Sequence, residues 1–159
     1  MKDTQPIKRH AAIVELSRDH HFTLLLIWKI RNGLKKSIEA ERISAYALHY
    51  YDVELKSHFK AEEDLLYCKM PADNPLRKQV EAEHAHIHRI AADIKANPSD
   101  TELLKQFADD IDKHVRFEER QLFNYLQETV AESELAKIAP LLNARKHEDE
   151  NAWKDAFWK

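Results

Sequence analysis

The chain has 159 residues, 43% of them hydrophobic and 33% charged, with one glycine and five prolines, a length that fits one domain with a sizeable core. So few turn glycines exclude a many-stranded sheet, and a formal charge of −3 with basic and acidic residues interleaved excludes the basic footprint that nucleic acid requires. No apolar run reaches the roughly 18 residues of a membrane span, and the amino-terminal MKDTQPIKRH lacks a signal-peptide stretch, so a cytoplasmic protein is expected.

In chain order, Ile13, Leu16, Leu24, Ile27 and Leu34 recur at spacings that one helix face produces, and predict a first helix from about 10 to 36. A second helix runs from Arg42 to Lys69, where Leu48, Tyr51, Leu55, Phe59, Leu65 and Leu66 mark the apolar face and Pro71 to Pro75 ends it. Asn74 before Pro75 is an N-cap followed by proline at the first helical position, and Leu76, Val80, Ile87, Ala91 and Ile94 carry a third helix up to Asn97-Pro98. Ser99 with Glu102 three residues on has the form of a capping box, and Leu104, Phe107, Ile111, Leu122 and Tyr125 extend a fourth helix to about Glu128. A last helical segment, Ser133 to Lys159, is interrupted by Pro140, and its Trp153, Phe157 and Trp158 are expected to cover one end of the molecule. The fold expected is all-α: an up-down-up-down four-helix bundle over about 10–128 with a short C-terminal helical segment over 133–159, the whole chain forming one domain.

Ten histidines are the anomaly of the composition, and one cysteine, Cys68, excludes an internal disulfide or a thiolate metal cage. His58-Phe-Lys-Ala-Glu62-Glu63 on the second helix returns 56 residues later as His114-Val-Arg-Phe-Glu118-Glu119 on the fourth. Helical spacing of four stacks His58 over Glu62 and His114 over Glu118, and both pairs fall in the apolar phase of their helices. On the first helix His20 lies between Leu16, Leu24 and Ile27 while His21 falls at the stripe edge; on the third His84 continues Leu76 and Val80, His86 points away, and His88, one turn beyond His84 and roughly 40° off, is either a fifth imidazole ligand or, as helix phase favours, a hydrogen-bond partner for a carboxylate. Four imidazoles and two carboxylates in one core cost several kcal/mol per unpaired charge unless something compensates them. Two divalent cations do so, each taking two imidazoles and sharing the carboxylates, with positions left open for an exogenous ligand. A buried His/Glu hydrogen-bond network is the alternative.

The other polar and aromatic residues receive plainer assignments. His10, His21, His49, His86 and His147 are solvated or partly buried; Glu63 and Glu119 are acceptors around the site or on the surface; Trp28, Tyr50, Tyr51 and Phe117 are core aromatics; Cys68 is a small apolar filler. Asp19-His20-His21 spells a phosphoesterase motif that belongs at strand ends, and Glu-x-x-His occurs on one helix only, short of the ferritin-like pattern.

His20, His58-x-x-x-Glu62-Glu63, Glu83-His84 and His114-x-x-x-Glu118-Glu119 together resemble the hemerythrin-like, or HHE cation-binding, family over about residues 13–128, and Leu16-Ser-Arg-Asp-His20 and His114-Val-Arg-Phe-Glu-Glu-Arg120 look like its single-domain bacterial members. The resemblance implies a non-heme centre of two Fe ions with a bridging oxo or hydroxo group, Zn or Mn being possible substitutes. It further implies His20, His58, His84 and His114 as terminal ligands and Glu62 and Glu118 as bridges. The function it implies is binding or sensing of dioxygen or a related diatomic such as nitric oxide. The alternatives are a di-iron oxidase or peroxidase and an iron-homeostasis or iron-sulfur repair protein. The chain departs from the five-histidine oxygen carriers, which place an aspartate five positions after the last histidine where this chain has Glu118 at four, and from repair members with an amino-terminal cysteine segment.

Overall fold

A computed structural model describes residues 8–145, 147–149 and 152–159; the expectations for 1–7 and for positions 146, 150 and 151 of the C-terminal segment lie outside the described residues. Helix α1 spans Ala11–Lys35, α2 residues 40–69, α3 Pro75–Ala96, α4 residues 101–129 and α5 Glu132–Asn143, with no strand among the described residues. The first four form the expected bundle, in which α1 packs on α2, α2 on α3, α3 on α4 and α4 on α1. Connections of four or five residues, 36–39, 70–74 and 97–100, force successive helices antiparallel.

The helix ends are set by local chemistry, with one change from expectation. Asn74 accepts hydrogen bonds from the backbone N–H groups of Leu76 and Arg77 at 2.8 and 3.3 Å, with Pro75 at the first helical position. Helix α4 is capped by Asp100, not Ser99: its Oδ1 accepts from Glu102 and Leu103 N–H. The carboxylate one residue nearer the helix reaches two orphan donors and adds a charge that the helix dipole favours. The first turn of α1 is held by His10, whose Nδ1 accepts from Ala12 N–H at 2.9 Å.

Neither α2 nor α4 is a uniform α-helix. Widened π turns occupy Tyr51–Leu55, Glu62–Leu66 and Glu118–Leu122. Each inserts an extra residue into its turn and rotates the remainder of the helix, so Ile43 and Ala47 are buried ahead of the first, while Leu48 and Tyr51 are only partly buried. On α1 the buried face is Ile13, Leu16, His20, Thr23, Ile27 and Ile30; Leu24 is 45% exposed and Leu34 packs at the margin.

Pro140 does not interrupt the last helix, which runs through it to Asn143. Leu135, Ile138, Ala139 and Leu142 are buried against Ala12, Ile13 and Leu16 of α1, and this packing outweighs the lost backbone bond. Trp153, Phe157 and Trp158 pack with Leu34, Ile38, Ala40 and Ile43, covering the end of the bundle where α1 turns into α2. Two readings of single residues change: Trp28 is 52% exposed, and Cys68 is exposed because the last turn of α2 carries it outward. The core divides into two apolar clusters, one around Leu26, Ile43, Phe59, Ile87 and Phe107, the other around Ile13, Leu66, Val80, Phe123 and Leu135. Between them sit His20, His58, Glu62, His84, His114 and Glu118, each at most 3% exposed.

Candidate metal centre

The six polar residues are brought together from all four bundle helices. His20, His58, Glu62 and Glu118 offer one ligand atom each within 4.8 Å of one another, and so do Glu62, His84, His114 and Glu118. The two carboxylates belong to both groups. Glu62 turns one oxygen toward His84 Nε2 at 3.2 Å and the other toward His58 Nε2 at 3.3 Å, while Glu118 Oε1 lies 3.0 Å from His20 Nε2 and 3.1 Å from His114 Nε2. Both glutamates open a π turn, and the extra residue lets Leu66 and Leu122 return to the core directly beyond them.

Each imidazole is oriented by a carboxylate on its other nitrogen. Nδ1–H donates to Glu119 from His20 (2.6 Å), to Asp19 from His58 (2.8 Å), to Glu63 from His84 (2.8 Å) and to Glu83 from His114 (2.6 Å). The four bonds close a ring around the bundle: α1 orients a histidine on α2, α2 one on α3, α3 one on α4, and α4 one on α1. A carboxylate only accepts, so it fixes the proton on Nδ1 and turns the Nε2 lone pair inward.

That arrangement leaves the inward nitrogens in need of either cations or protons. His84 Nε2 and His114 Nε2 face each other at 3.2 Å, and although Glu62 lies at ion-pair distance from His58 and His84, His58 Nε2 and Glu62 Oε1 are buried without a hydrogen bond of proper geometry. Protons are the other available counter-charge. Burial disfavours the His58 imidazolium, but the Glu62 charge and the bond to Asp19 outweigh it and push its pKa up to about 10. His114 is likewise pushed up to about 10 against burial by Glu118, and His20 and His84 are raised in the same sense. Glu118 is held well below the ordinary carboxylate range despite its burial, chiefly by the His114 charge.

Sequence reasoning placed Glu63 and Glu119 near the site and missed the roles of Asp19 and Glu83. A signal was present: each of the four orienting carboxylates is the chain neighbour of an inward residue, giving Asp19-His20 and Glu83-His84, Glu62-Glu63 and Glu118-Glu119. Tyr67 was missed altogether. Its buried hydroxyl donates to Glu62 at 2.9 Å and also meets Glu118, and its pKa is raised well above the usual phenol value by burial and the two carboxylates. The position equivalent to Tyr67 in the 56-residue repeat is Phe123, which lies parallel to His20 at 5.6 Å, while Phe59 stacks on His84 at 4.0 Å. These rings shield the inward nitrogens from water. His88 lies outside both donor groups: its Nδ1 meets the Tyr51 hydroxyl, not a carboxylate.

Four of the remaining histidines have ordinary carboxylate partners: His10 with Glu132, His49 with Glu148, His86 with Asp110 and His147 with Glu54. No helix among the described residues is long and apolar enough to cross a membrane. Residues 11–126 match the family model described as the hemerythrin HHE cation binding domain. Searches of curated proteins and of solved structures return no significant match.

Proposed function

The chain belongs to the hemerythrin HHE cation-binding family, and on that premise we propose that it is a non-heme di-iron protein that binds or senses dioxygen or a related diatomic such as nitric oxide. His20 and His58 would hold one ion, His84 and His114 the other, with Glu62 and Glu118 reaching both. The observation that carries this reading is the convergence of four Nε2 atoms on two shared carboxylates, with every Nδ1 already committed to its own carboxylate. Such a mixed imidazole and carboxylate set suits iron, and zinc or manganese would be accepted as substitutes.

The donor set fits two dications on this chain's own geometry. A cation gives His84 Nε2 and His114 Nε2 a partner other than each other and supplies His58 Nε2 and Glu62 Oε1 with the contact that no well-formed hydrogen bond provides. Two ions bound by two imidazoles each and two shared carboxylates would retain open positions, at which a diatomic can bind and exchange electrons with iron. The protein's own contributions are separate from that chemistry. Asp19, Glu63, Glu83 and Glu119 hold the imidazoles in orientation, Tyr67 fixes the two shared carboxylates, and Phe59 and Phe123 keep the site dry.

Metal analysis of protein purified without added metal is the first test, with iron expected. Reduced, iron-loaded protein should then develop a visible charge-transfer band on exposure to dioxygen and lose it on degassing. No spectral change with iron bound would overturn the proposal. Continuous dioxygen uptake in the presence of a reductant would replace it with the oxidase reading.

A further inference from the structure

The four imidazole–carboxylate pairs look alike, but their surroundings divide them by cation position. Asp19 Oδ2, which accepts from His58, also accepts from Arg145 Nη1 at 2.6 Å, and Arg145 is itself largely buried. Glu119 Oε2, which accepts from His20, is shared with the Ser17 hydroxyl at 2.9 Å, and its other oxygen takes Arg9 at 3.2 Å. The carboxylates behind His84 and His114 carry no such load. Glu63 meets His84 alone, and Glu83 gives one oxygen to His114 and the other to the neutral amide of Gln79; no ion pair joins either to a lysine or arginine among the described residues.

The balance of charge differs accordingly. Behind His20 and His58, two carboxylates are offset by two guanidinium groups; behind His84 and His114, two carboxylates remain net negative. A carboxylate raises the donor strength of the imidazole it orients, and a guanidinium on the same oxygen diverts that effect while repelling a nearby dication. Water screens the second pair more, since Glu63 and Glu83 are 37% and 30% exposed against 8% and 24% for Asp19 and Glu119. Screening weakens a net negative charge without reversing it, whereas the arginines cancel theirs outright.

Access would favour the same position in the rate of loading. A surface crevice lined by Glu83, His86, Asp110 and Lys113 reaches His114. The matching crevice at Asp19 and His58 is overlain after α5 by Arg145 on Asp19 and by His147 and Glu148 on Glu54.

We propose that the two cation positions are inequivalent, the His84–His114 position taking the first metal ion and the His20–His58 position, with its orienting carboxylates neutralised by Arg9 and Arg145, taking the second more weakly. This rests on the proposed two-cation centre. Metal-free protein is titrated with cobalt(II) and followed by its visible absorption. Two separated steps alone would also arise from repulsion between ions in a symmetric site, so the variants decide. His84→Gln should weaken the first step about tenfold or more, while His58→Gln leaves the first step unchanged and removes the second. Arg145→Gln should tighten the second step and leave the first in place, and Arg145→Lys, which keeps the charge, should restore wild-type behaviour. If His58→Gln and His84→Gln weaken the first step equally, or His58→Gln alone does so, the ordering is wrong while the two-cation reading stands. Absence of any cobalt binding to the wild type would overturn both.

Discussion

At the residue scale the site works by giving the two nitrogens of each imidazole different tasks, one bonded outward to a carboxylate and one turned in as a donor. Glu62 and Glu118 touch histidines of both groups, whereas Glu63 and Glu119 each touch one. Glu62→Gln or Glu118→Gln should therefore lower metal content at both positions. Glu63→Gln or Glu119→Gln should instead weaken binding about 10- to 100-fold with two ions still bound at saturation; elemental analysis separates the cases, and equal losses at all four would reassign the shared carboxylates. The metal-free protein carries a second prediction. His58 and His114 are raised from 6.5 to about 10 on folding, so the stability they contribute is complete below the unfolded value and is lost as pH rises through about 10. The depressed Glu118 acts with the opposite sign, its contribution being lost only at pH well below the ordinary carboxylate range. Melting temperature in excess chelator should accordingly fall between pH 7 and pH 10; a flat profile would show that the imidazoles are neutral in the folded apo protein. Four inward histidines were legible here because Glu-at-four spacing marks two of them and apolar phase marks all four. Tyr67 was not, because a phenol in an apolar stripe has the same sequence signature whether or not its hydroxyl finds a carboxylate.

At the scale of elements, the helices were legible where periodicity and caps speak for themselves, and the departures have identifiable causes. A π turn leaves no periodic trace; it shows only as a break, as between buried Ala47 and buried Leu55 on α2, where a 3.6-residue period puts Leu48 and Tyr51 inward. Two of the three π turns begin at Glu62 and Glu118, so the irregularity that spoils the pattern also serves the site. The N-cap of α4 was misplaced by one residue because Ser99 satisfies the capping-box spacing while Asp100 makes the bonds. Asp100→Ala should cost about 1 kcal/mol, and Ser99→Ala should cost close to nothing. Denaturant titration of both variants checks this, and a larger loss at Ser99 would return the cap to the serine.

At the scale of the molecule, the charged layer between two apolar clusters makes metal binding and folding one problem. The apolar clusters close over the layer from both ends: Leu26, Phe107 and Ile111 on one side and Leu16, Leu122 and Leu126 on the other are almost completely buried. The layer itself holds four imidazoles whose inward nitrogens need either protons or cations, so the apo protein folds around a protonated network and the loaded protein exchanges those protons for metal. Loading must then raise stability by the metal's preference for the folded state. At free metal about 100 times the dissociation constant, the gain is about 2.7 kcal/mol. For a domain of this size that corresponds to a rise in melting temperature of about 5 to 11 °C. The rise should grow with the logarithm of free metal, vanish on adding chelator, and be smaller at pH 6 than at pH 8, because His58 and His114 are protonated at both and each proton the metal displaces costs more free energy to release into the more acidic solution. Calorimetric scans at fixed free metal measure all three dependences. A melting temperature indifferent to metal at both pH values would mean that the polar layer is a self-sufficient His/Glu network, and the cation would have no place in the fold.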